Sequence, residues 1–220
     1  MLTFAPLQES PWLVHGFTLR VPDLPMDAER GDAVHRIRTA HEEILQQHGV
    51  AWNRMCLAEQ VHRSRVERVN TAGSDRRPAT DGLVAIQPGV PLGMFVADCC
   101  AIYLVETARK AIGLLHSGKK GTQANIAEEG VRRLCEACDG EAARITAVLS
   151  PCIHGCCYDL DFVTRIEDQL RAAGVEKVWR HPDCTGCHLD RYYSYRKEKG
   201  RTGRMLAFLM IREKYTVAHQ

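Results

Sequence analysis

Met94-Phe-Val-Ala-Asp-Cys-Cys-Ala-Ile-Tyr-Leu-Val-Glu106, followed by Ala111-Ile-Gly-Leu-Leu-His116 and the loop Ser117-Gly-Lys-Lys-Gly-Thr122, is the stretch on which the fold of this chain turns. The first segment is dense in β-branched, aromatic and cysteine residues, with Asp98 its only charge before Glu106. That pattern predicts a strand buried on both faces. The turn-like Thr107-Ala-Arg-Lys110 leads into a second such strand, Ala111 to His116. The glycine-bounded loop then feeds a helix that carries Ile126, Val131, Leu134 and Cys135 on one face. Strand, glycine loop and helix, in that order, make an α/β unit.

Outward from this unit the signals alternate. Between Asp32 and His48 the apolar positions Val34, Ile37, Ala40, Ile44 and Leu45 keep helical spacing, and Gly49 supplies a stop. Ile145 to Leu149 and Leu206 to Ile211 read as short apolar strands, Phe162 to Ala173 as an amphipathic helix ending at Gly174, and Gly73 to Thr80 as an exposed loop. No repeat and no Pro/Gly/Ser-rich boundary interrupts residues 1–220. The expectation is a single domain of α/β or mixed α+β class.

Hydrophobic residues make up 45% of the chain and charged ones 25%, near the globular average. The 29 Lys and Arg against 27 Asp and Glu leave 29 − 27 = +2, too balanced for a dedicated nucleic-acid or anionic-membrane binder. The longest apolar run, Gly89 to Val96, ends before Asp98, far short of the ~20 residues that a membrane helix needs. Met1 to Glu9 lacks a basic region leading into an apolar stretch, so the expected location is the cytoplasm, with no nucleic-acid or membrane partner.

Ten cysteines in an intracellular chain are not read as disulfides, which leaves metal binding, catalysis or packing. Two Cys-x-x-Cys pairs, Cys135/Cys138 and Cys184/Cys187, invite comparison with a zinc ribbon. A ribbon separates its pairs by about 15 to 20 residues, whereas Cys138 and Cys184 have several predicted elements between them. Cys135 and Cys138 fall on a helical pattern, where cysteine packs as a small hydrophobe.

Three other positions share a context. His62 stands in Gln60-Val-His-Arg-Ser, Cys99 in Val96-Ala-Asp-Cys-Cys, and His116 ends an apolar strand. Two imidazoles and a thiolate would give zinc three ligands and an open fourth position, the arrangement of catalytic zinc. Spacing alone does not establish this, because a single His or Cys among apolar residues is more often a packed core residue.

The ordered set His15-Gly-Phe-Thr-Leu-Arg20, Gln60-Val-His62, Ala79-Thr-Asp-Gly-Leu-Val84, Val96-Ala-Asp-Cys99, His116-Ser-Gly-Lys-Lys-Gly121, Ser150-Pro-Cys-Ile-His-Gly-Cys-Cys-Tyr158 and Tyr193-Ser-Tyr-Arg196 with Thr202-Gly-Arg-Met205 resembles the signature series of the laccase-domain proteins. These are also called polyphenol oxidase-like or purine nucleoside phosphorylase-like proteins. The resemblance covers nearly the whole chain. It implies a layered sheet sandwich flanked by helices, of the kind shared with a toxin deamidase domain. It also implies Zn2+ held by His62, Cys99 and His116, and activity on adenosine, guanosine, inosine and methylthioadenosine with phosphate, together with adenosine deamination.

Where this family has His-Ala-Gly-Trp-Arg-Gly, the chain has His116-Ser-Gly-Lys-Lys-Gly121, so Lys119 replaces an aromatic wall and Lys120 keeps a cation. Lys120 is the expected phosphate contact, with loop N–H groups beside it. Arg38, in Val34-His-Arg-Ile-Arg, matches an arginine that this family often places after Asn. Leu19-Arg20-Val-Pro departs from the family's Thr-Arg-Gly-Gly. Three rival functions remain. A multicopper laccase needs several His-x-His pairs, and the ten histidines form none. A metal-free Cys–His hydrolase or deamidase would use Cys99 and His116 as nucleophile and base. A non-catalytic binder of nucleotides or cell-wall precursors would keep only the fold.

Overall fold

The computed structural model describes residues 1–22, 24 and 30–213, with Arg30 described in its backbone only. In chain order the elements are α1 (Ala5–Gln8), β1 (Leu13–Phe17), α2 (Arg30–Gln47), β2 (Cys56–Ala58), β3 (Val66–Arg68), β4 (Arg76–Arg77), β5 (Gly82–Ala85) and β6 (Leu92–Val96). There follow β7 (Cys100–Glu106), β8 (Ala111–Ser117), α3 (Lys119–Gln123), α4 (Ile126–Cys138), β9 (Ile145–Leu149), α5 (Phe162–Ala172), β10 (Lys177–Arg180) and β11 (Met205–Ile211).

The strands form two mixed sheets. One runs β1-β11-β6-β2-β4 and the other β10-β9-β7-β8-β5-β3. Their facing sides share one core: Phe17, Met94 and Ala207 from the first sheet pack with Ala101, Tyr103 and Leu114 from the second. The outer face of the second sheet, with Ile102, Leu104 and Leu115, is covered by α4 and α5 through Val131, Leu134 and Ile166. The outer face of the first, with Phe95, Leu206 and Phe208, is covered by α2 through Leu45. The order of layers is helix, sheet, sheet, helix, so the central strands are buried on both faces. That explains their uninterrupted apolar sequence. The mixed α/β class read from the sequence and the helix-flanked sandwich that the resemblance implied are both present. No helix among the described residues is long and apolar enough to cross a membrane.

The segment Met94 to Glu106 is two strands rather than one. β6 pairs with β11 and β2 in the first sheet, whereas β7 pairs with β8 and β9 in the second. The chain changes sheet at Ala97-Asp98-Cys99, where Asp98 takes a left-handed φ of 78°. Composition could not reveal the break, because both strands have the same two-sided burial. Ser117 to Thr122 also differs from expectation: the loop winds into α3, with Thr122 N–H donating to the Gly118 carbonyl. Within Gly73 to Thr80, Arg76 and Arg77 pair with β2 as a two-residue edge strand.

Candidate functional site

The sheet switch lies against the end of β8. Pairing of β7 with β8 sets His116 opposite Ala101, two residues beyond Cys99. Pairing of β5 with β8 sets Leu115 opposite Gly82, which leaves Asp81 beside His116. His62 arrives on the segment after β2, whose Gln60 and His62 both take left-handed φ, 63° and 61°. Such backbone is costly for non-glycine residues and persists only where its surroundings over-determine it. Here the Gln60 amide pairs with the backbone of Phe95, Nε2 donating to its carbonyl at 2.6 Å and Oε1 accepting its N–H at 3.1 Å.

His62, Cys99 and His116 are thereby brought together, each offering one ligand atom, all within 4.8 Å of one another. The two imidazole rings stand 4.9 Å apart at 76°. Gly118 permits the approach: a Cβ there would lie 2.6 Å from the Cys99 sulfur. Asp81 is fully buried and organises the group. It accepts the backbone N–H groups of His62 and Arg63, each at 2.8 Å, and its Oδ1 lies 2.9 Å from His116 Nδ1. With Nδ1 engaged, Nε2 of His116 is the nitrogen left to ligate. A carboxylate behind a ligating histidine is the usual way of fixing tautomer and ring orientation. Donor types, approach and support together fit a metal ion.

Electrostatics agree with this grouping. Burial alone would push the Cys99 thiol up, but the His116 and His62 imidazoles beside it outweigh burial and bring it down to about 6. Burial likewise opposes charge on His116, yet the Cys99 sulfur and Asp81 carry it up to about 9. Burial of Asp81 is outweighed by His116 and the two backbone donors, which hold its carboxyl below the ordinary range. Cys99 down and His116 up are the directions that a thiolate beside an imidazolium gives.

The group opens into a cavity of about 820 Å³. Ile153, Tyr158, Phe162 and Tyr195 supply apolar and aromatic walls, and Lys119, Lys120, Arg196 and Lys199 supply cations. Lys120 is therefore at the cavity, on the exposed side of α3. Arg38 is not: it sits on the solvent face of α2, bound to Glu42 at 2.6 Å and stacked over Trp52, beside a separate hollow. The inner face of α2 packs on the first sheet through Leu45, and Arg38 is not among the residues that line the cavity. Asp81 and Asp98 were not read as site residues from the sequence. Asp98 anchors the turn before Cys99, accepting from Thr185 Oγ1 at 2.7 Å and from Arg196 N–H at 2.6 Å. Both aspartates lie within the quoted motifs, and their buried, apolar neighbours were the available signal.

The family model described as multi-copper polyphenol oxidoreductase laccase matches residues 20–166 and 159–212. A purine nucleoside phosphorylase, YlmD, of Geobacillus stearothermophilus is 30% identical over 207 aligned positions, covering 74% of each chain. A purine nucleoside phosphorylase of Streptomyces coelicolor is 25% identical, with 86% of this chain and 88% of that protein covered. The crystal structure of YlmD from Geobacillus stearothermophilus superposes with a TM-score of 0.85 at 25% identity, covering 91% of this chain and 92% of that one. A hypothetical protein, YfiH, of Bacillus licheniformis gives the same TM-score of 0.85 at 22% identity, covering 93% and 95% of the two chains, which shows the shared fold.

Proposed function

The chain belongs to the multi-copper polyphenol oxidoreductase laccase family, and within it we propose a zinc-dependent purine nucleoside phosphorylase that also deaminates adenosine. Adenosine, inosine, guanosine and methylthioadenosine are its proposed substrates. The observation that carries this reading is the convergence of His62, Cys99 and His116 on the 820 Å³ cavity. Zinc rather than copper is proposed. The three donors make one mononuclear set, whereas a multicopper cluster draws on several His-x-His pairs. Relatives named purine nucleoside phosphorylase support the substrate class.

When bound by His62, Cys99 and His116, zinc supplies Lewis acidity and can lower the pKa of water towards ~7. Everything else falls to the chain. Tyr158, Phe162 and Tyr195 offer the faces on which a purine can rest, in place of the tryptophan that Lys119 replaces. In phosphorolysis a phosphate oxygen bonds to the anomeric carbon as the bond to the purine nitrogen breaks, so the anion must sit beside the sugar. Lys120, with Lys119, meets that need at the cavity mouth as a compact point charge. Asp81 keeps the Nδ1 proton of His116 in place, so that imidazole orients and does not shuttle.

A second reading has its own observation. The depressed Cys99 and raised His116 are what a metal-free nucleophile and base would show. Incubation with a nucleoside panel, with and without phosphate and with and without chelator, tests both. Free base and ribose 1-phosphate that depend on phosphate and vanish with chelator are expected. Turnover that survives chelation assigns the Cys–His dyad, and no turnover of any nucleoside leaves the binder reading.

A further inference from the structure

Beyond the cavity, four cysteines with no part in that chemistry lie together. Cys156 and Cys157 occupy a turn whose Cys157 N–H donates to the His154 carbonyl at 2.9 Å. Cys184 and Cys187 flank a second turn, closed by Cys187 N–H to the Cys184 carbonyl at 3.1 Å. The two turns are joined through their backbones, by parallel β-type pairing of Cys152 with Cys184, both of them free thiols, and by Thr185 N–H donating to the Cys152 carbonyl at 2.9 Å. All four sulfurs fall within 4.8 Å of one another, with Cys187 Sγ 3.4 Å from both Cys156 Sγ and Cys157 Sγ. Tetrahedral zinc with Zn–S bonds of ~2.3 Å would set its sulfurs about 3.8 Å apart, inside that range.

We propose that Cys156, Cys157, Cys184 and Cys187 form a second, structural zinc site. Three features beyond proximity fit it. A turn, unlike a strand, lets the consecutive Cys156 and Cys157 face one point. Gly186 makes room for the approach, since a Cβ there would lie 2.9 Å from Cys157 Cβ and 3.1 Å from its sulfur. The His154 N–H points at Cys184 Sγ at 3.4 Å, a hydrogen bond that favours thiolate. Four thiolates close the coordination shell and leave no position for substrate, so the role is structural. Its consequence reaches the cavity. The first turn carries Ile153 and Tyr158 of the wall, and the second carries Thr185, which holds Asp98 beside Cys99. Zinc here would clamp wall and switch turn together.

Elemental analysis of protein purified without added metal, with intact-mass measurement, tests the proposal. Wild type should hold about two zinc ions per chain, His62→Ala about one, and His62→Ala with Cys156→Ser and Cys187→Ser none. Zinc that survives His62→Ala but is lost with the two cysteines supports the site even if the His62 centre binds no metal. A His62→Ala protein without metal, or one whose metal ignores the cysteine changes, overturns it. So does a wild-type mass two hydrogens light, which would mean a disulfide. Should the triple variant fail to fold, alkylation of wild type decides. Exposed Cys156 and Cys187 should be protected until chelator releases zinc, and rapid labelling before chelation with no zinc released overturns the site.

Discussion

Asp81 is fully buried and serves three donors at once, two backbone N–H groups and the His116 ring. Asp81→Asn keeps the shape but turns an amide N–H toward a donor. Metal affinity at the His62–Cys99–His116 group should fall 10- to 100-fold, the usual effect of removing such support, as read by competition with a chromogenic chelator. Cys99 gives a pH prediction at the same scale. Its thiol lies near 6 against the usual 9, so the metal-free protein should carry the reactive thiolate at every pH above about 6. Alkylation of Cys99 after chelation, followed by peptide mass spectrometry, should therefore rise through about pH 6. A midpoint near 9 would mean that His116 carries no positive charge beside it. The His116 sign is opposite: its charge should persist until the pH rises through about 9.

At the scale of elements, the passage from β6 to β7 makes the site. Were Met94 to Glu106 one strand, Cys99 would be buried mid-sheet; because the chain changes sheets, Cys99 is left at a turn between layers. The strand content of this region was legible, since apolar and β-branched density reports burial. The break was not, because Asp98 in its left-handed turn looks in sequence like one tolerated polar residue. The helix of Phe162–Ala172 and the strand Ile145–Leu149 matched their periodicity closely, each bounded by a local signal such as Gly174. Helix α3 was hidden inside a loop reading because two glycines in six residues mask a single helical turn. Its consequence is that Lys120 lines the cavity as an exposed helical side chain. If that cation contributes a charge-assisted contact of about 1.5 to 3 kcal/mol, Lys120→Ala should raise the phosphate KM roughly 10- to 150-fold. Deamination, which uses no phosphate, should change little. Equal loss of both activities would return Lys120 to the role of a solvated charge.

For the molecule as a whole, the two sheets share their facing core, and Tyr103 in β7 ties them by donating to the Gly16 carbonyl of β1 at 2.7 Å. We expect the chain to unfold as one domain, with secondary and tertiary circular dichroism signals lost in one coincident thermal transition. Tyr103→Phe should lower stability by about 1 kcal/mol, because it removes a buried hydrogen bond and keeps the ring. Two separated transitions would divide the chain into independent sheets.

Local and periodic information lay in the sequence. The helix of Asp32 to His48, the apolar strands, the mixed class and the ordered motifs all depend on residues near one another along the chain, or on the burial that their composition demands. His62, Cys99 and His116 were singled out as types in suggestive settings, and motif order added what spacing lacked. Tertiary structure alone decided which of them meet, because convergence depends on strand register and on the sheet switch at Asp98, neither of which is written in periodicity. It also decided that Arg38 lines a hollow other than the cavity, since a helix's polar stripe does not say which end of the sandwich it overlooks. The cysteines show the same division most plainly. Cys184-x-x-Cys187 is visible as a pair, but its partners are the adjacent Cys156 and Cys157 rather than the equally spaced Cys135 and Cys138. Only chain packing brings residues ~30 positions apart to 3.4 Å.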